Sequence, residues 1–406
     1  MSGDPFVALA GILARHPAPS LPPWPFAGGA VGSISYDAGR GIERLPSSAR
    51  DDRLHPDFQF ALYGWAINWD HREKRWGVLA TGAPFISEKD RRARAAARCH
   101  DEARWAVSAR PIPAPQNAVS GRGVCRAVPS LSRADYLRAV AHVQERIAAG
   151  DCYEVNLSRR LTVGAHVDPR ALFSSLCRTN PAPFAAFMET ETGAIVSSSP
   201  ERFLRVTAGE AESRPIKGTA PRGSDIALDR AAAEKLRLSG KDRAENVMIV
   251  DLARNDLGRV CRTGSVAVTD LCALESYAGV HHLVSTVRGR LLEGRTALDA
   301  ARALFPPGSM TGAPKIRAME IIDALEPVRR GPYAGVAGYI AAGGDADLSV
   351  LIRAFVLSGD VVDLQTGGAV VSDSDPVGEY EEAVLKGERA VAALAEALGR
   401  PLALQE

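Results

Sequence analysis

The sequence predicts an α+β fold with much antiparallel pairing, and three observations carry that reading. Strand-like runs crowd together near 153–163, 183–189, 193–198 and 202–207. Helical periodicity then runs from Leu228 through Leu252. Strand and helix afterwards alternate up to a C-terminal helix from about Val377 to Leu398. Closely spaced strands pair antiparallel, because a parallel neighbour needs a crossover of about a dozen residues or more.

Taken in order, the proline-rich stretch 17–26 starts no regular element. Phe26 to Asp37 is dotted with glycine, but the Gly-x-Gly-x-x-Gly spacing and the lysine of a phosphate loop are both absent. Phe58 to Trp69 reads as one strand, Asp70-His71 as a turn, and Arg75 to Ala80 as the returning strand. Residues 86–108 read as an Ala/Arg-rich helix, with the arginines from Arg91 to Arg98 on a solvated face. Pro111 to Pro129 holds four prolines and two glycines and is the best linker in the chain. It divides an N-terminal subdomain, 1–124, from a catalytic domain, 125–406. Beyond it, Ser132 caps a helix from Arg133 to Ala149 that Gly150 stops, with Leu137, Val140, Val143 and Ile147 as its apolar stripe.

Composition narrows the function classes. The chain has 406 residues, 46% of them hydrophobic and 24% charged, with net charge +1, as in soluble globular proteins. No basic face or acidic tail stands out, so neither nucleic acid nor a membrane surface is an expected partner. No apolar run reaches the roughly 18 residues of a membrane span. The first residues do not read as a secretory signal. Six scattered cysteines with no Cys-x-x-Cys pair fit reduced thiols and a cytoplasmic setting, and argue against a cysteine zinc site.

Several side chains sit where chemistry is expected. Lys217 lies in Ser213-Arg214-Pro215-Ile216-Lys217-Gly218-Thr219, with Arg222 close behind. Flanking cations and burial both disfavour its charged form, and a lowered pKa makes an amine nucleophile. Glu245 shares a helix face with Met248, Ile249 and Leu252, and a carboxylate facing a core needs a partner or a metal. Glu379 and Glu382 are three apart on the last helix, with Lys386 four beyond Glu382. Oxygen donors from two helices suit a hard cation such as Mg²⁺. Arg353 stands in the apolar run Leu348 to Leu357, read as one doubly covered strand, where its guanidinium needs an anion. Thr366-Gly367-Gly368-Ala369 exposes backbone amides to a second carboxylate. Pro306 to Lys315 opens a helix with small residues at an anion-friendly N-terminus. His281 and His282 point oppositely on a strand, so only one of them faces a site. The set suits a small dianionic substrate with a divalent metal.

At these residues the chain resembles the chorismate-utilising enzymes: anthranilate synthase and aminodeoxychorismate synthase components I, isochorismate synthases and salicylate synthases. The resemblance rests on Ser198 to Phe203, Pro215 to Gly223, Asp242 to Val260, Val280 to Leu283, Pro307 to Lys315, Tyr333 to Tyr339, Ile352-Arg353 and Gly367 to Pro376, eight motifs in the family's order. It covers about 132–395 and Pro25 to Asp37. It implies a large two-layered antiparallel β-sandwich flanked by helices. Lys217 matches the aminodeoxychorismate synthases, where the other branches usually carry alanine. Gly150 to Leu157 also resembles that branch, although the family usually has glutamine where Glu154 stands, and isochorismate and salicylate synthases have a water-activating lysine there.

Carried over by resemblance, Mg²⁺ is expected on Glu245 and Glu382, with Glu379 nearby, holding the ring carboxylate of chorismate. Arg353, Tyr333 and the amides of Gly367, Gly368 and Ala369 hold the enolpyruvyl carboxylate. Gly218, Thr219 and Lys386 complete the pocket, and His282 borders the ring. Glu201 protonates the departing 4-hydroxyl, Lys217 attacks ring carbon 2, and ammonia then displaces the lysine from carbon 4. The implied product is 4-amino-4-deoxychorismate, a precursor of p-aminobenzoate and folate, with no pyridoxal phosphate. No glutaminase motif is evident, so a separate glutamine amidotransferase subunit is the expected ammonia source. The N-terminal part is short relative to the family and leaves no clear tryptophan site. An anthranilate synthase that tolerates lysine, and a silent subunit sensing chorismate or an aromatic amino acid, remain as alternatives.

Overall fold

The computed structural model describes residues 4–83, 87–109, 124–277 and 279–405. Two large sheets form the frame. One has nine strands, in the spatial order Ile216–Pro221, Val280–Arg290, Glu210–Arg214, Arg202–Thr207, Ala346–Val350, Val336–Ala341, Gly29–Ile34 and Phe58–Tyr63, with Ala267–Ser276 also paired to Val280–Arg290. The other has eight: Leu402–Leu404, Cys125–Pro129, Glu154–Gly164, Val361–Val370, Ala354–Ser358, Gly193–Ser199 and Phe184–Thr190, with the short Gly312–Ala313 joined to Glu154–Gly164. Every pairing between named strands is antiparallel except Leu402–Leu404 with Cys125–Pro129. The α+β expectation, with large antiparallel sheets and flanking helices, is met. Gly29–Ile34 and Phe58–Tyr63 extend the nine-stranded sheet through Val336–Ala341, so that sheet draws on residues from both sides of position 124.

Two crossings between the sheets position the chemistry. Gly193–Ser199 lies in the eight-stranded sheet, and Arg202–Thr207, only two residues later, lies in the nine-stranded one. Ala354–Ser358 and Ala346–Val350 make the same change of sheet beside them. The corner consists of Pro200-Glu201 and Leu351 to Arg353, stitched by hydrogen bonds from Val350 N to Glu201 O (3.1 Å) and from Ser198 N to Arg353 O (3.1 Å). Strands that switch sheets turn at bends of this kind. The single strand expected over Leu348 to Leu357 is therefore two strands, and Arg353 takes a left-handed φ of 49° at their junction. Apolar character on both faces reflects burial on two different sheets rather than one doubly covered strand.

Other expectations need smaller corrections. Gly64 splits Phe58 to Trp69 into Phe58–Tyr63 and Trp65–Asp70, and the second half leaves for a hairpin with Arg75–Ala80. Leu228 to Leu252 falls in two helices, Ile226–Leu238 and Gly240–Gly258. Ser239 ends the first and caps the second, accepting from Asp242 N. The helix Arg133–Ala148 has Ser132 as its cap, as expected, but it buries Tyr136 and Ala139 along with Val140 and Val143. The amide-bearing run Thr366 to Ala369 is regular strand. It lies inside Val361–Val370, with Gly367 opposite Ser158, Gly368 opposite Leu157 and Ala369 opposite Asn156.

The apolar core is divided. One cluster, with Leu204, Leu348, Leu257 and Leu304, packs helices Gly240–Gly258 and Ala297–Leu304 on the nine-stranded sheet. A second, with Leu172, Leu176, Phe355 and Leu398, packs Pro169–Thr179 and Pro376–Leu398 on the other. Each such fully buried side chain contributes about 1.5–3 kcal/mol. Polar residues on one face of Glu154–Gly164 look away from these clusters, and the candidate site begins there.

Candidate active site

Lys217 is carried by Ile216–Pro221, whose register with Val280–Arg290 shifts between Ile216 and Thr219. The bulge re-aims its side chain, as bulges do beside active sites. Gly218 takes a φ of 84°, and a Cβ there would press on the Asp242 side chain at 2.9 Å. Lys217 is only 9% exposed, and its Nζ donates to Oε1 of fully buried Glu154 at 2.7 Å. Burial pushes the lysine pKa down, but Glu154, Glu245 and Glu201 together reverse this and leave it raised. The expected depression does not occur. The flanking arginines that were to cause it turn to other partners: Arg214 pairs with Glu275, and Arg222 binds Asp229 through two contacts of 2.7 and 2.8 Å. The resting group is an ammonium with a carboxylate against it.

Glu201, at the corner between the sheets, is buried, and burial raises its carboxyl to about 7. Ser309 Oγ donates to its Oε1 at 2.7 Å. His282 is buried and accepts or donates at Nδ1 to Thr219 Oγ1, 2.9 Å away. Burial, then the nearby Arg353, lowers its pKa to about 4, so the ring is neutral at pH 7. Its Nε2 is buried without a hydrogen-bond partner. His281 is also buried, and faces Ser276 (2.7 Å) and Asp229 (3.0 Å) instead, in line with opposite orientations on a strand.

Arg353 forms no ion pair among the described residues. Burial, then the neighbouring cation Arg389, lowers its pKa. Two guanidinium groups near one another without a carboxylate are what an incoming anion requires. The strand Ala354–Ser358 pairs with Val361–Val370 only as far as Leu364, so the glycine segment beyond has no strand partner on that side. Lys386 Nζ reaches Gly367 O there at 3.3 Å. Tyr333 is buried within hydrogen-bond reach of Ser158, the cross-strand neighbour of Gly367, with Arg330 over its ring at 5.8 Å.

The acidic residues of the two helices behave differently. Burial raises Glu245 to about 7. Glu379 is buried, takes a hydrogen bond from Ser374 Oγ at 2.6 Å, and leaves Oε2 buried and unpartnered. A Cβ on Gly368 would stand 2.9 Å from that oxygen. Glu382 pairs with Lys386 at 2.6 Å, and Lys241 lies 3.9 Å from Glu379. Burial pushes the Glu382 carboxyl up, but Lys386 and its fellow lysines bring it below the usual value. Among the described residues no three His, Cys, Asp or Glu side chains make a ready metal shell. The donor chemistry nevertheless suits a hard cation: three carboxylates, of which Glu379 keeps an orphaned oxygen and Glu379 and Glu382 are now paired with lysines.

Sequence reasoning assigned no part to Asn156, Ser309, Lys241 or Arg389. Ser309 lies inside a recognised motif, yet only the fold shows its hydroxyl on Glu201. Asn156 lies inside the run Gly150 to Leu157, yet its part comes from contact with a residue some 150 positions away, Nδ2 donating to Ser309 O at 3.2 Å.

Comparison with known proteins follows the same lines. The sequence model of a family described as chorismate binding enzyme matches residues 4–392. Aminodeoxychorismate synthase component 1 of Salmonella typhimurium is 44% identical over 371 residues, spanning 91% of this chain and 77% of that protein. Anthranilate synthase component 1 of Streptomyces coelicolor is 40% identical over 397 residues, spanning 95% and 76%. The crystal structure of anthranilate synthase component I from Streptococcus pneumoniae TIGR4 superposes with a TM-score of 0.84 at 31% identity, covering 96% of this chain and 86% of that one.

Proposed function

This chain belongs to the chorismate-binding enzyme family, a family of chorismate-utilising enzymes, and on that premise we propose that it aminates chorismate at carbon 4 to give 4-amino-4-deoxychorismate. The carrying observation is Lys217, a buried amine on a bulged strand with a carboxylate 2.7 Å away to take its proton. Alanine at this position, usual in the other branches, offers no nucleophile. Relatives named aminodeoxychorismate synthase component 1 at 44% and 41% identity support the reading.

Lys217 passes a proton to Glu154 and attacks ring carbon 2 as the neutral amine. The double bonds shift, and the 4-hydroxyl leaves as water with the proton of Glu201. Ammonia adds at carbon 4, the double bonds shift back, and the C2–N bond breaks to free Lys217. One hard displacement becomes two allylic ones. Glu201 suits its part because a carboxyl near 7 is still about half protonated at neutral pH, where an ordinary one is almost wholly ionised. Neutral His282, with Thr219 and Gly218, would border the ring. Arg353 and Arg389, with Tyr333 and the backbone of Gly367, Gly368 and Ala369, would receive the enolpyruvyl carboxylate. Glu245, Glu379 and Glu382 would hold Mg²⁺, whose charge would anchor the ring carboxylate.

The ammonia would come from a separate glutamine amidotransferase subunit, and the name "component 1" of the relatives supports a two-part enzyme. The cytoplasm is the proposed setting; among the described residues the cysteines are free, and no helix is long and apolar enough to cross a membrane. Anthranilate synthase is the second reading, favoured by the relatives of that name. The deciding experiment incubates the protein with chorismate, Mg²⁺ and ammonium and follows products by mass spectrometry and fluorescence. Aminodeoxychorismate is expected; anthranilate as the main product overturns the proposal.

A further inference from the structure

We propose that Glu154 and Asn156 form the seat of the incoming ammonium ion, between Lys217 and Glu201. The inference rests on the aminating reading above. Both residues lie on Glu154–Gly164, two positions apart, so their side chains leave the same face of the strand. Glu154 is 0% exposed and Asn156 6%. Each spends one polar atom on the catalytic surroundings. Glu154 Oε1 accepts from Lys217 at 2.7 Å. Asn156 Nδ2 donates to Ser309 O at 3.2 Å, and Ser309 Oγ donates to Glu201 at 2.7 Å.

The second oxygens, Glu154 Oε2 and Asn156 Oδ1, are buried and have no hydrogen-bond partner. Leaving a buried acceptor unfilled costs about 1–3 kcal/mol, more when it is charged, so such atoms mark a place for something else. The next residue on the face shows the contrast. Ser158 donates to Glu326 at 2.7 Å and accepts from Gln365 at 2.9 Å, so its own hydroxyl is satisfied. Two open acceptors on one strand face, one of them on a carboxylate, call for a small donor-rich cation. Chorismate offers mainly acceptors and cannot fill them; ammonium carries four N–H donors.

Position and proton count agree with this occupant. When the 4-hydroxyl has left, Glu201 is a carboxylate, Glu154 holds the proton from Lys217 on Oε1 and keeps Oε2 as an acceptor, and the lysine nitrogen is bonded to carbon 2 as a secondary ammonium. The seated ammonium gives one proton to Glu201 and adds to carbon 4 as ammonia. Lys217 departs as the neutral amine and recovers its proton from Glu154. The product leaves with a protonated amino group, and all three side chains regain their starting states.

The test uses the full chain with chorismate and Mg²⁺ while ammonium chloride is varied. Asn156→Leu removes the amide acceptor; Asn156→Ser keeps a small polar group should the leucine variant fail to fold, which circular dichroism reports. We expect the KM for ammonium to rise at least about tenfold in Asn156→Leu, about 1.4 kcal/mol, and less in Asn156→Ser, with the KM for chorismate within about twofold of wild type. A folded variant with unchanged ammonium KM overturns the seat, as does a parallel rise in both KM values, which marks a structural role. Wild-type protein that turns over chorismate with no aminated product defeats the aminating reading itself, and this inference with it.

Discussion

The strand-borne and helix-borne halves of the site carry similar residues and solve opposite problems. Lys217, Glu154 and Glu201 come from strands or the corner between sheets, are buried, and find partners within the protein at 2.7 Å. Glu245, Glu379 and Glu382 come from Gly240–Gly258 and Pro376–Leu398; Glu379 and Glu382 are balanced by Lys241 and Lys386, both long side chains reaching in from the surface, while Glu245 feels Lys217 and then Lys241. Lys217 stands on the edge strand of one sheet and is closed off by Glu154 from the other, so burial between the sheets fixes these side chains and excludes water. Neighbouring helices leave a gap that an exposed lysine can enter and vacate. The first half is therefore ready for proton transfer, and the second is ready to exchange one cation for another.

The sharpest break of that comparison is Lys217→Ala. If the strand-borne half performs the chemistry, aminodeoxychorismate formation falls by at least about a hundredfold, while chorismate binding, measured by equilibrium dialysis, persists. Full activity in that variant would show that the buried amine is only structural.

Glu201→Gln comes next, with an expected loss of about a hundredfold in kcat. In the wild type the acid form is lost as pH rises through about 7, so kcat declines on that side; the glutamine variant should lack this limb. Stability carries the same sign. The folded protein holds the Glu201 proton up to about 7, against 4.5 ordinarily. The stabilisation is thus complete below about 4.5 and is lost as pH rises through about 7. A melting temperature equally sensitive to pH in wild type and Glu201→Gln would contradict the assignment.

Gly368→Ala probes the helix-borne half with the smallest expected effect. Its new Cβ would crowd Glu379 Oε2 at 2.9 Å. Metal affinity, read by Mn²⁺ electron paramagnetic resonance, should weaken about tenfold, with the Lys217–Glu154 pair untouched. EDTA should abolish turnover in wild type, and rates that survive it would remove the metal from this half.

Much of this was legible in the chain. Alternation and turn residues gave Glu154–Gly164, Phe184–Thr190, Gly193–Ser199 and Arg202–Thr207 nearly to the residue, and proline and glycine bounded the last helix at Pro376 and Gly399. Local pattern singled out Lys217, Glu245 and Arg353, because a charged side chain among small or apolar residues shows in a linear text; Glu201 came only with the family resemblance.

What the sequence could not supply was the company each group keeps. Arg214 and Arg222 are near Lys217 along the chain, yet both turn to other carboxylates, while Glu154, 63 positions away, meets its nitrogen. That contact reverses the direction in which the lysine pKa moves. Arg353 read as part of one strand because apolar runs do not record which sheet buries them. Local propensity and periodicity are properties of neighbouring residues, and the sequence alone determined those. Protonation and open hydrogen-bonding capacity depend on distances of a few ångströms across sheets, and only the tertiary structure decided them.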